Sequence, residues 1–258
     1  MTYGIIGVGA IGAAIVTGLC DGVQDAPQIV LSPRNASRAA ELASRFATVR
    51  IAQSNQDVID QSSVVLLCIR PQEARSVLPA LKFSAEQSIV SMMAGSSIET
   101  LQQLVAPAHS IARAIPLPAV AAREGATPIF PPTEAAAALF DRLGCSIGIP
   151  NERAFDATSA STATIAAHFA YLNAICRWLI AQGVDEQVAR RQVATSFAGL
   201  AALLHHREDR APDFNELARD HATRGGTNEQ FLAVLEQARV FAAVDAGLNQ
   251  VLERLTRR

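Results

Sequence analysis

The sequence predicts an α/β protein in which a doubly wound parallel sheet is followed by an all-helical domain. Three observations carry this expectation. Short apolar runs alternate with helical segments through the first half of the chain, the first of them ends in a glycine turn, and strand-like runs stop near residue 150. Strands that are apolar on both faces belong to a parallel sheet covered by helices on each side.

Tyr3-Gly4-Ile5-Ile6 is the first such run; Gly7-Val8-Gly9-Ala10-Ile11-Gly12 follows it, and residues 13–20 have helical composition. A G-x-G-x-x-G run set between strand and helix reads as a dinucleotide cradle. Gly7 permits the tight turn, Gly9 lets the backbone approach a pyrophosphate, and Gly12 lets helix and strand pack closely. The helix N-terminus then faces the anion with its free N–H groups. This N-terminal run is not expected to be a secretory signal, because no Lys or Arg precedes it and four glycines plus Thr17 interrupt it. With such a cradle the sheet is of Rossmann type.

Gln28-Ile29-Val30-Leu31 is the second predicted strand, and residues 36–46 form a helix. Val49-Arg50-Ile51, the apolar run 64–69, the run 88–92 and Ser110-Ile111-Ala112-Arg113 continue the strands. Helices are expected over 55–60, from Pro71 onward and over 97–104. Pro71 can open a helix because its missing N–H would have no partner there. Pro116, Pro118, Pro128, Pro131 and Pro132 interrupt the pattern. A strand at 127–130, a helix at 133–143 and a strand at 146–149 then complete an NADP-binding domain of residues 1–150.

The end of the second strand bears on the cofactor. An NAD site commonly places Asp or Glu there to hold the ribose 2′-OH. This chain has Ser32-Pro33-Arg34-Asn35, and no carboxylate until Glu41. A hydroxyl, a guanidinium and an amide suit a 2′-phosphate, with Arg34 able to bind it bidentately. Asn35 also suits a helix cap, which accounts for Asn35 but not for the missing acid. The pattern favours NADPH over NADH. Ligands lie beyond the carboxyl ends of such strands, which puts Ile69, Arg70, Pro71 and Gln72, residues 94–96 and residues 115–118 around the nicotinamide half of the pocket, with Cys68 beside them among the expected cofactor-binding residues. Arg70 can meet a substrate carboxylate or simply be a solvated strand end.

From residue 151 to 258 the pattern is helical. Residues 155–182 form a long segment that is apolar on nearly every face, followed by helices at 185–206, 212–219, 228–237 and 239–257. A helix that is apolar all round must be buried, and a domain of this size needs a second copy of the chain to cover it. This is the expected dimerisation and substrate domain. His168 and Tyr171, three residues apart, share a face as pocket donors or as polar groups satisfied inside an interface. His205-His206, before the charged residues 207–210, reads as a solvated turn. Gly225-Gly226-Thr227-Asn228 joins two helices; it can cap the second or offer N–H groups to an anion such as a substrate carboxylate.

Bulk properties exclude other classes. Half the residues are hydrophobic and the formal net charge is −2, so no basic field invites nucleic acid. Cys20, Cys68, Cys145 and Cys176 are dispersed in apolar surroundings without a C-x-x-C pair, as buried free thiols in a reducing, cytoplasmic setting would be. No apolar run reaches the ~18–20 residues of a membrane span, and no His/Cys spacing suggests a metal.

Taken in order, these motifs resemble the pyrroline-5-carboxylate reductase family over nearly the whole chain. The resemblance runs through the Gly7/Gly9/Gly12 turn, Ser32-Pro33-Arg34-Asn35, Cys68-Ile69-Arg70-Pro71-Gln72, Arg113-Ala114-Ile115-Pro116, Arg123-Glu124-Gly125-Ala126-Thr127 and Gly225-Gly226. It implies a Rossmann domain joined to a helical domain that forms an intertwined dimer, sometimes within larger rings. It also implies an active site between one subunit's cofactor domain and its partner's helices. The implied activity is hydride transfer from NADPH to a C=N bond, most simply 1-pyrroline-5-carboxylate to L-proline. Gly225, Gly226, Thr227 and Asn228 would hold the carboxylate, and Tyr171 or His168 would be nearest the imine nitrogen. The substrate side departs from the family pattern. Leu117-Pro118-Ala119 stands where the family has Asn-Thr-Pro, Ile165-Ala166-Ala167-His168 replaces a Ser-Gly-Ser-Gly run, and Asn228 replaces a Thr. A reductase of another cyclic imine or keto acid, a deazaflavin-linked NADP oxidoreductase and a non-catalytic NADP-binding paralogue are the alternatives.

Overall fold

The computed structural model describes residues 1–205 and 213–257. They divide into two compact units, Met1–Ser159 together with Leu252–Arg258, and Ala160–Val251. The first unit is built on eight strands: β1 (Thr2–Ile6), β2 (Gln28–Leu31), β3 (Val49–Ile51), β4 (Val64–Leu67), β5 (Ser88–Ser91), β6 (Ser110–Ala114), β7 (Ala126–Phe130) and β8 (Cys145–Gly148). Their order in the sheet is β3-β2-β1-β4-β5-β6-β7-β8. Every pairing is parallel except that β7 runs against β6. Between them run α1 (Ala10–Cys20), α2 (Ala36–Arg45), α3 (Asn55–Asp60), α4 (Pro71–Val77), α5 (Ile98–Val105) and α6 (Glu134–Asp141).

The doubly apolar strands do what their composition requires. Side chains alternate across the pleat, so Ile5, Leu31 and Leu66 enter one core with Ile15, Leu19 and Phe140. Ile6, Val30, Val65 and Leu67 enter the opposite core with Ile89 and Leu101. Three helix starts are fixed by side-chain caps: Ser54 accepts from the Asp57 N–H, Ser97 from Thr100, and Thr133 from Ala136. The proline-rich stretch is more ordered than its composition suggests. Pro118–Ala122 forms a 3-10 turn pressed onto α1 so closely that a Cβ at Gly18 would lie 2.1 Å from the Val120 carbonyl oxygen. Arg123, in the left-handed region at φ 59°, then donates to the carbonyls of Gly18 and Asp21 at the end of α1.

The continuous helix expected at 155–182 is two helices, α7 (Glu152–Ser161) and α8 (Thr164–Ala181). Its first part is fastened to the sheet: Arg113 of β6 donates to Glu152 at 2.9 Å and to Asp156 at 2.7 Å. The first unit accordingly extends to Ser159, past the limit expected at residue 150. The second unit contains α8, α9 (Glu186–His205), α10 (Phe214–His221), α11 (Thr227–Gln237) and most of α12 (Val240–Thr256). No residue of α8, α11 or α12 is buried, and Phe169, Trp178, Phe231 and Phe241 are among the exposed apolar side chains. No described helix is long and apolar enough to cross a membrane. His206 and the turn expected at 207–210 lie outside the described residues.

The four cysteines are free, but only Cys20 is fully buried; Cys68 and Cys176 are partly covered and Cys145 is exposed. Cys145 opens β8, one of the two edge strands of the sheet, which has a neighbouring strand on one side only.

Candidate functional site

A depression of about 820 Å³ lies by the amino ends of β1 and β4, beside Thr2 and Ser63. That is the wrong end of the sheet, because ligands of doubly wound sheets bind beyond the carboxyl ends. A second cleft, of about 440 Å³, lies at that end and is lined by Gly7, Gly9, Ser32, Arg34, Asn35, Cys68, Ile69 and Arg70. Eight residues singled out in the sequence thus share one cavity. Val8, Asn55, Glu73 and Val77 also line it.

The glycine turn gives this cleft its floor. Gly7 has φ +98°, and a Cβ there would meet the Cys68 carbonyl oxygen at 2.7 Å. A Cβ on Gly12 would meet the Gly7 oxygen at 2.8 Å, so helix and turn are packed to the limit of glycine. Gly9 differs: nothing lies within 4 Å of where its Cβ would be. It is the N-cap of α1 and offers no side-chain cap. The N–H groups of Ala10, Ile11 and Gly12 therefore begin the helix without intrahelical acceptors, beside open space. This cradle fits a pyrophosphate in both room and charge.

The residues after β2 divide their work. Ser32 is buried and its Oγ accepts the Gly7 N–H at 3.0 Å. Asn35 occupies the N-cap position of α2 without capping it, and instead donates from Nδ2 to the Val8 carbonyl at 2.9 Å. Both brace the glycine turn from outside, where the sequence suggested phosphate ligands. Arg34, which lines the cleft with them, is held differently. Its Nη1 and Nη2 donate to Glu73 at 2.9 and 3.1 Å, while Arg70 donates to the same carboxylate from Nη2 at 2.6 Å and from Nε at 3.2 Å. Hydrogen bonds from Arg70, then from Arg34, hold the Glu73 carboxyl below its usual range, so it is ionised at neutral pH. Glu73 was missed in the sequence. The available signal was a carboxylate in the first turn of a helix, three residues after an arginine.

The cleft's inner wall is apolar. The Cys68 thiol faces Met92 Sδ at 3.8 Å, and burial pushes it up to about 12, so it stays protonated and inert. Pro71 is the first residue of α4, its ring turning the chain away from β4. A smaller hollow of about 60 Å³ at the ends of β5 and β6 is bounded by Ile11, Met92, Ala94, Ile115, Pro116 and Phe155. It joins the residues at 94 and 115–116 to the start of α1, as the strand-end rule anticipated.

The expected substrate residues lie in the helical unit. His168 and Tyr171 set their rings edge-on against Phe197, at 6.2 and 6.0 Å. Gly226 is the N-cap of α11, Thr227 its first residue, and Asn228 donates to the His221 carbonyl at 3.1 Å. Glu229 accepts the Gly225 N–H at 2.7 Å, taking one donor of the loop expected to hold a carboxylate. No hydrogen bond or ring contact joins His168 or Tyr171 to Asn228 among the described residues, and no group of three or more metal-binding side chains occurs among them.

Comparison with known proteins matches the two halves separately. Residues 2–95 match a family described as NADP oxidoreductase, coenzyme F420-dependent, and residues 152–257 match pyrroline-5-carboxylate reductase dimerisation. A pyrroline-5-carboxylate reductase of Haemophilus influenzae is 29% identical over 96% of this chain and 94% of its own. The crystal structure of 1-pyrroline-5-carboxylate reductase from Streptococcus pyogenes superimposes with a TM-score of 0.84 at 25% identity, covering 100% of this chain and 99% of that one. The fold is also that of the Plasmodium falciparum pyrroline carboxylate reductase, solved with NADP bound, at a TM-score of 0.82, 16% identity and coverage of 99% and 97%. The dimerisation match and the full-length relatives together make this chain similar to pyrroline-5-carboxylate reductases over nearly its whole length.

Proposed function

We propose that this protein is an NADPH-dependent reductase of a C=N bond, with 1-pyrroline-5-carboxylate as the simplest substrate and L-proline as product. One observation carries the reading: a cradle of uncapped helix N–H groups opens beside Arg34 in a chain whose other half matches this family's dimerisation domain. NADPH, when bound, supplies the hydride. The first turn of α1 holds the pyrophosphate and Arg34 the 2′-phosphate, while Ser32 and Asn35 keep the turn in shape. Cys68 and Ile69 give a neutral wall that excludes water. The hollow beside Ile11, Met92 and Ile115 receives the reacting end. On the helical unit, Gly225, Gly226, Thr227 and Asn228 would hold the substrate carboxylate, and Tyr171 or His168 would be the polar contact nearest the imine nitrogen. A protonated imine is already electrophilic, so it needs no dedicated strong acid.

Cofactor oxidation followed across a panel of cyclic imines and keto acids tests this directly. Turnover of pyrroline-5-carboxylate is the expected result. Turnover of another imine alone would keep the reaction class and replace the substrate, whereas tight NADPH binding with no turnover would leave a non-catalytic paralogue. The four free thiols favour a reducing, cytoplasmic setting.

The exposed rings of Phe169, Trp178, Phe231 and Phe241 favour a homodimer through the helical unit, since apolar faces of this extent are rarely left to water. Light scattering on the eluting protein at micromolar concentration should give twice the chain mass; a monomer would reject the dimer.

A further inference from the structure

The preference for NADPH follows in part from an absence, since no acid stands at the end of β2. The fold brings one from elsewhere. Glu73, in the first turn of α4, lines the same cleft as Arg34 and accepts from both of its terminal nitrogens. We propose that Glu73 is a specificity-determining residue: it competes with the 2′-phosphate for Arg34 and keeps the cleft open to NADH as well as NADPH. The proposal rests on the dinucleotide reading of the cleft.

Carboxylate and phosphate take a guanidinium in the same way, through two parallel charge-assisted hydrogen bonds. Arg34 Nη1 and Nη2 are both committed to Glu73, so a phosphate that uses them must displace one anion with another. Only the difference between the two pairings appears as affinity. Arg70 holds Glu73 from its other side, so the carboxylate stays at the cleft when Arg34 leaves it. The Arg34 side chain is 66% exposed, which lets the exchange proceed by rotation of that side chain. A ribose with a free 2′-hydroxyl has no need of Arg34, and its O–H can donate to Glu73 in place of the acid missing after β2.

The dissociation constants of NADPH and NADH, measured by calorimetry at one salt concentration, test this on full-length wild type, E73Q, E73A, R34A and the E73Q/R34A double variant. Removing the carboxylate should tighten NADPH by about two- to fivefold, as expected for loss of an exposed competing pair, without tightening NADH. R34A should weaken NADPH, and in its background E73Q should no longer tighten it. A ratio of NADPH to NADH affinity that stays the same or falls in both E73Q and E73A overturns the proposal. So does a gain for NADPH that persists without Arg34. Wild-type protein that binds neither dinucleotide overturns the cleft assignment itself, a result distinct from an unchanged ratio.

Discussion

Gly9→Val is expected to weaken NADPH binding by about a hundredfold while leaving the fold in place. Two features of the position separate these effects. Its backbone lies at φ −84°, which any L-residue adopts, and nothing lies within 4 Å of the space its Cβ would enter. The folded chain alone therefore meets the new Cβ with no clash. A valine at an N-cap costs about 1 kcal/mol, or roughly 2–4 °C of melting temperature for a domain this size. The side chain would occupy the room that the pyrophosphate needs against the N–H groups of α1. Losing two charge-assisted hydrogen bonds at about 1.5 kcal/mol each is roughly a hundredfold in affinity. Calorimetric titration with NADPH beside a thermal melt checks both halves. Unchanged affinity would place the pyrophosphate somewhere other than the glycine turn. Gly7→Ala offers no such separation, because φ +98° and the Cys68 carbonyl at 2.7 Å make the damage structural.

Local patterns in this chain were legible, and distant partnerships were not. The strands could be read residue by residue because burial on both faces leaves no freedom of composition, as the fully buried β4 shows. Gly7, Gly9 and Gly12 could be read because the turn and its two flanking elements are contiguous. Ser32 and Asn35 stood out as unusual, but their partners Gly7 and Val8 are 25 and 27 residues away, so their bracing role was invisible. Glu73 was hidden for the same reason, being 39 residues from Arg34. Cys145 appeared buried by composition and is exposed because β8 is the last strand of the sheet, a fact of topology that no local window contains. The substrate residues had the weakest warrant. His168, Tyr171 and Asn228 were singled out by residue type and by resemblance, and their contacts within the chain are those of helix packing and capping.

Arg113→Ala should be the most destabilising single change in the sheet unit, at about 3–5 kcal/mol, a fall in melting temperature on the order of 10 °C. The Arg113 side chain is 1% exposed and faces Asp156, itself 3% exposed, with Glu152 on its other arm. Its guanidinium lies 4.5 Å over the ring of Phe155, a cation–π contact that offsets part of the cost of an Nε without a hydrogen-bond partner. The Glu152 carboxylate also accepts the Ile98 N–H at the start of α5. One guanidinium thus ties β6 to α7, and through Glu152 to α5. Removing it deprives a buried carboxylate of its cation and leaves a cavity beneath Phe155, which lines the small hollow at the strand ends. Arg113→Lys keeps the charge but cannot span both carboxylates, so it should fall between wild type and alanine. Hydrogen exchange should show the amides of α7 losing protection before those of β4. An alanine variant that melts within two degrees of wild type would mean that apolar packing of α7, and not this ion pair, sets the floor of the hollow.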